Sequence, residues 1–295
     1  MVKIAEERAC AKINLFLRVT GRRPDGYHEL DSVFIPISPA DEIRLEIRSA
    51  DEASIMLNCD APSLGSSASN LATRAAQAFM SEFDLAAQVQ IDLRKRIPVA
   101  AGLGGGSSDA GAVLRMLARA AGIEDAEDWI RIRRIALSLG ADVPFFLDPR
   151  PSRVNGIGEL IARIPTVPRM PIVIVAPPFE VPTAAIFRAL KPEDWSGRAP
   201  DTHIEAIVRG EISPAIMVND LAAAAIAQFP EIRRLKGLLE ESGARGAQMS
   251  GSGGAVFGVF ESVEDAERAA EKVRRRAPFA TTVAATTLDR EMPPN

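Results

Sequence analysis

Two periods of apolar residues run through the chain, alternation in some stretches and three- and four-residue spacing in others, and their order lays out its elements. From Lys12 to Leu17, Ile13, Leu15 and Leu17 fall on one face and Lys12, Asn14 and Phe16 on the other, as in a strand. Val33 to Ile37 and Ile43 to Ile47 predict two strands of a hairpin or meander, the second with Ile43, Leu45 and Ile47 inward. Ser63 to Ser69 reads as a small-residue loop, Asn70 as an N-cap, and Leu71 to Phe83 as a helix. Val89, Ile91 and Leu93 alternate with Gln90 and Asp92 in a further strand. Ala110, Val113, Leu114, Leu117, Ala118 and Ala121 predict a helix, with Ser107, Ser108 and Asp109 as capping groups at its start. Trp129 to Leu139 predicts another, which Gly140 can end in a left-handed cap.

Past Phe146 the character changes. Residues 148 to 153, DPRPSR, are rich in proline and charge, and Asn155 to Glu159 carries a second glycine turn. Ile172 to Val175 is a continuous apolar run between prolines, a buried strand that opens a second unit. The expected division is 1–160 and 161–295. A helix begins around Val181, Pro182, Thr183 and Phe187, and a polar loop spans Glu193 to Asp201. Helices follow at Val218 to Phe229 and Pro230 to Glu241. A glycine cluster within GAQMSGSGGAVFGVF, residues 246 to 260, precedes an apolar strand, and Val263 to Arg276 and Thr281 to Thr286 supply a last helix and strand. Antiparallel signals persist among the helices, which favours an α+β sandwich over a doubly wound sheet.

The stretch AGLGGGSSDAG, residues 101 to 111, joins a strand to a helix through a loop nearly without side chains. Gly102, Gly104, Gly105 and Gly106 let consecutive N–H groups converge and let a bulky anion approach closely. The N-terminus of the following helix adds free N–H groups and a positive dipole end. A dinucleotide fingerprint started at Gly102 or Gly104 ends on Ser107 or Asp109, and no lysine completes a Walker A pattern, so neither applies. A polyphosphate is the natural guest, against the alternative of a merely tight turn.

Composition narrows the class. A formal charge of −4 gives no basic footprint for nucleic acid. Cys10 and Cys59 match no metal-ligand spacing, and His28 and His203 are too few for a multi-histidine site. Charged residues Lys3, Glu6, Glu7 and Arg8 interrupt any apolar leader, and no uninterrupted apolar run reaches about 18 residues. A soluble cytoplasmic protein is expected. Lys12 and Asn14 stand side by side on their strand, where a lysine is often only solvated. Tyr27, the only tyrosine, and His28 follow a Pro-Asp-Gly turn, where they could stack on a base or cover a core edge. Asp142, two residues before Pro144, is either an N-cap or a group pointed out of a turn.

AKINLFL, DGYHEL, PVAAGLGGGSSDAG, LGADVPFFL, NGIGE and MSGSGGAVFG occur in the order and approximate spacing of the GHMP kinases, and the chain resembles that family from end to end. Cys10 and Asn155 depart from the pattern without touching the proposed chemistry. The resemblance implies a two-domain α+β fold, the N-terminal half like the second domain of ribosomal protein S5 and the C-terminal half a ferredoxin-like sandwich. DGYH and GADVPFF narrow it to the branch that transfers the ATP γ-phosphoryl to the tertiary 2-hydroxyl of a cytidine diphosphate-linked methylerythritol, a step of non-mevalonate isoprenoid synthesis. By the same likeness Asp142 is the base and Lys12 its partner. Pro98, Val99, Ala100, Ala101, Gly102, Leu103, Gly104, Gly105, Gly106, Ser107 and Ser108 wrap the ATP phosphates, with Asn70 and Lys95 toward the adenosine. Tyr27, His28 and Phe187 hold the cytosine, Asn14 and Thr183 contact the substrate, and Gly251 to Gly254 lie near the phosphates or only shape the strand that follows. Mg2+ is expected with ATP; its ligand, with Ser107 or Ser108 as candidates, is open, as is the oligomeric state. Two alternatives stay open: another alcohol acceptor, such as homoserine, mevalonate or a sugar, and a non-catalytic nucleotide sensor on the same scaffold.

Overall fold

The computed structural model describes residues 2–61 and 69–289. Of the small-residue loop expected at Ser63 to Ser69, all but Ser69 lies outside them. Two long strands, β1 (Val2–Arg22) and β2 (His28–Ser49), pair antiparallel from end to end and form the spine of the first sheet. The other edge of β2 is divided. Its second half pairs with β4 (Ala87–Arg94), itself parallel to β3 (Ser54–Cys59), and its first half pairs with β5 (Ser152–Gly156), followed by β6 (Leu160–Arg163).

The hairpin expected from Val33 to Ile47 is therefore one continuous strand. The register passes from Cys10↔Ala40 to Ala11↔Ile37, so Ser38 and Pro39 are absorbed in a bulge. Pro36 falls in the interval where neither β4 nor β5 needs a ladder bond from β2. A second bulge, between Asn14 and Phe16, breaks the alternation of β1. Phe16 is thereby fully buried with Ile13 and Leu15 instead of sharing the polar face of Lys12 and Asn14, while Leu17 packs with Val173 and Val175.

Helices α1 (Leu71–Glu82), α2 (Gly105–Ala121) and α3 (Ala126–Leu139) pack on the sheet, burying Phe79, Leu114, Leu117 and Ile132 against Ile43, Leu45, Val89 and Ile91. Gly140 ends α3 with φ 167°, an extended conformation and not the expected left-handed cap.

The second sheet is wholly antiparallel. Strands β7 (Pro171–Ala176), β8 (Gly246–Met249), β9 (Val256–Val259) and β10 (Thr281–Thr286) lie in the order β10-β7-β9-β8, the ferredoxin-like arrangement. Between β7 and β8 come α4 (Thr183–Ala189), α5 (Asp201–Val208), α6 (Ala222–Gln228) and α7 (Glu231–Glu240); α8 (Val263–Arg276) joins β9 to β10. Helix α5 follows the expected polar loop and was not foreseen. The alanine-rich helix starts at Ala222, because Val218 to Asp220 runs beside β1 through Leu17 N–H to Val218 O (2.8 Å) and Asp220 N–H to Leu17 O (3.0 Å). The glycine cluster proves to be the turn of the β8–β9 hairpin.

The two sheets share a core. Ile13, Leu15, Ile35 and Ile37 pack in one cluster with Ile172, Ile174, Phe257 and Val259.

Candidate active site

Glycine-rich backbone forms the first wall. Ala100, Gly102 and Gly104 have φ of 54°, 76° and 73°, so left-handed residues alternate along the loop and turn successive N–H groups toward one concavity. Gly104, and not Ser107, Ser108 or Asp109, is the N-cap of α2, and no side chain caps it. The first N–H groups of the helix are thus left for an anion. Ser108 is buried and its hydroxyl donates to Cys10 O at 2.6 Å, tying the helix start to β1. Leu103 O accepts from Lys12 N–H at 2.9 Å. A Cβ on Gly104 would stand 2.9 Å from the Phe146 ring and 3.1 Å from Lys12 Cγ. Of the other expected phosphate residues, Ala101 and Leu103 are buried, Val99, Ala100 and Gly106 are exposed, and Pro98, Gly102, Gly105 and Ser107 lie between.

Strand β1 brings Lys12 to this wall, and its neighbours hold it there. The ammonium donates to Asn14 Oδ1 at 2.7 Å, lies 4.4 Å from the centre of the Phe34 ring, and stands 3.2 Å from Asp142 Oδ2. Asn14 is itself fixed, donating through Nδ2 to Ser32 Oγ (3.0 Å) and through its backbone N–H to Ser250 Oγ (3.3 Å). Asp142 takes the N-cap place before a short 3-10 turn, Val143–Leu147, yet its carboxylate caps nothing. It is directed at Lys12 and is 33% exposed against 3% for the lysine, which leaves an oxygen for a reactant. Gly111 lets the turn lie on α2, since a Cβ there would meet Phe146 Cβ at 2.6 Å.

The third wall comes from the β8–β9 turn. Ser250 Oγ donates to Gly102 O at 3.0 Å, and Ala255 N–H to Ala101 O at 3.0 Å, so the two glycine segments lie against each other. Thr183 Oγ1 lies 2.6 Å from Ser252 Oγ, and Phe187, one turn along α4, stacks on His28 with ring centres 5.4 Å apart. Trp195 meets His28 edge-on at 6.0 Å. His28 is almost fully buried, and burial, with Arg22 nearby, holds its pKa below the usual imidazole value. Tyr27 is 61% exposed on the preceding turn.

Two expected residues have structural partners. Asn70 Oδ1 caps α1 by accepting from Ala72 N–H at 2.9 Å. Lys95 is nearly buried beneath the start of α2, bonded to Asp41 and, at 2.6 Å, to Asp109. Asp41 also accepts from Arg96 and Ile97 N–H, whereas Asp109 Oδ1 has no hydrogen-bond partner among the described residues. Burial, only partly offset by Lys95 and reinforced by Asp41, pushes the Asp109 carboxyl up to about 7. Lys95 stays above its usual value despite burial, because Asp109 and then Asp41 favour its charge.

Residues 70–148 match the family described as "GHMP kinases N terminal domain", and 204–278 match "GHMP kinases C terminal". A relative from Thermus thermophilus, named 4-diphosphocytidyl-2-C-methyl-D-erythritol kinase, is 41% identical over 91% of this chain and 92% of its own. The chain belongs to the GHMP kinases. A relative of the same name from Geobacter sulfurreducens is 40% identical over 94% and 97% of the two chains. A crystal structure of 4-(cytidine 5'-diphospho)-2C-methyl-D-erythritol kinase superposes with a TM-score of 0.82 at 39% identity, covering 96% of this chain and 99% of that one. Homoserine kinase from Cytophaga hutchinsonii, at 16% identity and a TM-score of 0.73, shares the fold. As a GHMP kinase the chain is a phosphotransferase acting on an alcohol.

Several residues that touch the side chains or loops of this GHMP site went unnoticed in the sequence: Ser32, Phe34, Ser250 and Trp195. Only Ser250, beside the glycine cluster, carried a local signal.

Proposed function

We propose that the chain phosphorylates the 2-hydroxyl of 4-diphosphocytidyl-2-C-methyl-D-erythritol with ATP, in the cytoplasm, as a step toward isoprenoid precursors. The observation that carries this reading is the His28–Phe187 stack at one end of α4, with Thr183 and the glycine turn at the other. One helical turn separates the two ends, about 6 Å at 1.5 Å per residue, which suits a substrate with a base at one end and a reacting alcohol toward the phosphates. A neutral imidazole offers a donor and an acceptor to a base edge, and the depressed pKa of His28 keeps it neutral near pH 7. Identity of about 40% to kinases named for this substrate supports the same choice.

In the proposed step the acceptor oxygen bonds to Pγ of ATP as the Pγ–O bond to the β-phosphate breaks, ADP leaves, and the hydroxyl proton passes to Asp142. A carboxylate is a weak base toward an alcohol, so Asp142 chiefly orients the hydroxyl and accepts its proton late, as a loose transition state allows. Lys12, held by Asn14, offers positive charge to the transferring oxygens. Left-handed turns at Ala100, Gly102 and Gly104 and the uncapped start of α2 receive the polyphosphate. We assign Lys95 and Asn70 to the adenosine side of this loop, and Asn14 and Thr183 to the acceptor.

No group of three or more His, Cys, Asp or Glu among the described residues could hold a metal ion. The Mg2+ expected with ATP would be carried on phosphate oxygens and water, with one protein oxygen. Ser107 is the better placed of the two candidate serines, because the Ser108 hydroxyl is buried and engaged with Cys10. Bound Mg2+ supplies charge neutralisation at the phosphates. The expected boundary at 160/161 would divide β6, which pairs with β5 of the first sheet, so we place it after Arg163; the two family matches lie on either side of it.

The test is ADP release with ATP and the cytidine diphosphate substrate, beside methylerythritol without the cytidine diphosphate, homoserine and mevalonate. Turnover confined to the cytidine compound is expected. Comparable turnover of homoserine or mevalonate would replace this reading with another alcohol, and tight ATP binding without ADP would point to a sensor.

A further inference from the structure

Segment 195–199 contains no helix or strand, yet both sides of it are strapped down. Ser196 N–H donates to Asp220 Oδ2 at 2.9 Å, and the Ser196 hydroxyl donates to Asp220 Oδ1. Gly197 N–H donates to Val19 O at 3.1 Å. Ala199 N–H donates to Asp31 Oδ2 at 2.8 Å, and Ala199 O accepts from Arg153 Nη2 at 2.7 Å. Trp195, at the head of this strap, presents its ring to His28. Asp220 also accepts from Val19 N–H at 2.7 Å, so one carboxylate fastens the strap to β1.

Asn219, the residue before it, points the opposite way. Its Nδ2 donates to Met249 O (2.9 Å) and Gly251 O (2.8 Å), while Oδ1 accepts from Leu221 N–H at 2.9 Å. Gly251 lies against the phosphate loop, with its Cβ position 3.2 Å from Gly102 O. Both side chains are 7% exposed, and the pair is anchored to β1 through Leu17, on the strand that carries Lys12.

We infer that Asn219 and Asp220 are positioning residues for opposite ends of the site, Asn219 setting the β8–β9 turn against the ATP phosphates and Asp220 setting Trp195 and His28 against the pyrimidine. The assignment of the Asp220 end rests on the proposed substrate. A side chain that merely stabilises the fold would disturb both ligands together. A dipeptide whose two side chains reach separate walls divides its effects between them.

The experiment measures dissociation constants for ATP and for cytidine diphosphate by calorimetry, and both Michaelis constants, in the wild type, Asn219→Ala and Asp220→Asn. Each variant removes buried hydrogen bonds that hold one wall, and a loss of about tenfold is expected at that end, with the other ligand changed less than about twofold. Asn219→Ala should weaken ATP and Asp220→Asn cytidine diphosphate. Ser196→Ala, which removes one of the bonds to Asp220, should repeat the Asp220→Asn pattern more weakly and serves if that variant fails to fold. In a Trp129→Phe background Trp195 is the only tryptophan, and Ser196→Ala should increase acrylamide quenching of its emission. Equal weakening of both ligands in each folded variant, or of neither, would overturn the inference. If the wild type releases no ADP with the cytidine substrate while the split in binding persists, the proposed reaction falls and the positioning roles stand.

Discussion

Lys12 Nζ stands 3.2 Å from Asp142 Oδ2 and 2.7 Å from Asn14 Oδ1, so one buried ammonium holds together a carboxylate and an amide 128 residues apart in sequence (142 − 14). Asp142→Asn keeps the side-chain shape and removes the proton acceptor. Turnover should fall by a factor on the order of 10² or more while the dissociation constant for ATP changes little. Steady-state rates and ATP calorimetry on one preparation check this; near-normal turnover would remove Asp142 from the role.

Gly104 admits no side chain. Its φ is +73°, and a Cβ would press on the Phe146 ring at 2.9 Å. Gly104→Ala should destabilise the protein by about 1–3 kcal/mol through backbone strain and crowding. It should also raise the Michaelis constant for ATP more than that of the alcohol, because the N-cap of α2 moves. Thermal melts and kinetics read the two effects separately.

Phe187→Ala removes the ring stacked on His28. The Michaelis constant for the cytidine substrate should rise by about tenfold, as loss of a stacking face costs roughly 1–3 kcal/mol, with that for ATP nearly unchanged. Acidification below the depressed pKa of His28 should weaken the same ligand in the wild type, since the charged imidazole no longer offers an acceptor. A rise confined to the ATP constant would contradict the assignment of this end.

Asp109 gives a dependence of stability on pH. Its carboxyl is raised from 3.8 to about 7 in the fold, so between those values the native state binds more protons than the unfolded one, and this group's contribution falls as pH rises. Asp109→Asn, the neutral isostere, should lose that slope. Denaturant titrations from pH 4.5 to pH 8 should show the variant gaining on the wild type with rising pH; parallel curves would mean that Asp109 titrates normally.

Much of this architecture was legible because the patterns are local. Helix α1 and its Asn70 cap, helix α8 and strands β7 and β10 follow from periodicity and capping within a few residues. Strand β2 was read as two strands because the long partner β1 absorbs Ser38 and Pro39 in a bulge that no local pattern reveals. The bulge after Asn14 likewise sent Phe16 to the core. At the site, the glycine loop was readable from its composition, but the meeting of Lys12 with Asp142 followed only from the family likeness. Asn219, Asp220 and Trp195 carried no spacing signal, since their partners lie on other strands and turns. Lys95 was legible as a cation but not as one clasped by two buried acids.

Ile13 and Ile35 from the first sheet interlock with Ile172 and Phe257 from the second in one buried cluster. Swinging the halves apart would wet all four side chains, at roughly 1.5–3 kcal/mol for each. Ligand exchange therefore falls to short surface pieces such as the turn bearing the exposed Tyr27, and turnover should tolerate a cross-link between the two halves placed away from that turn.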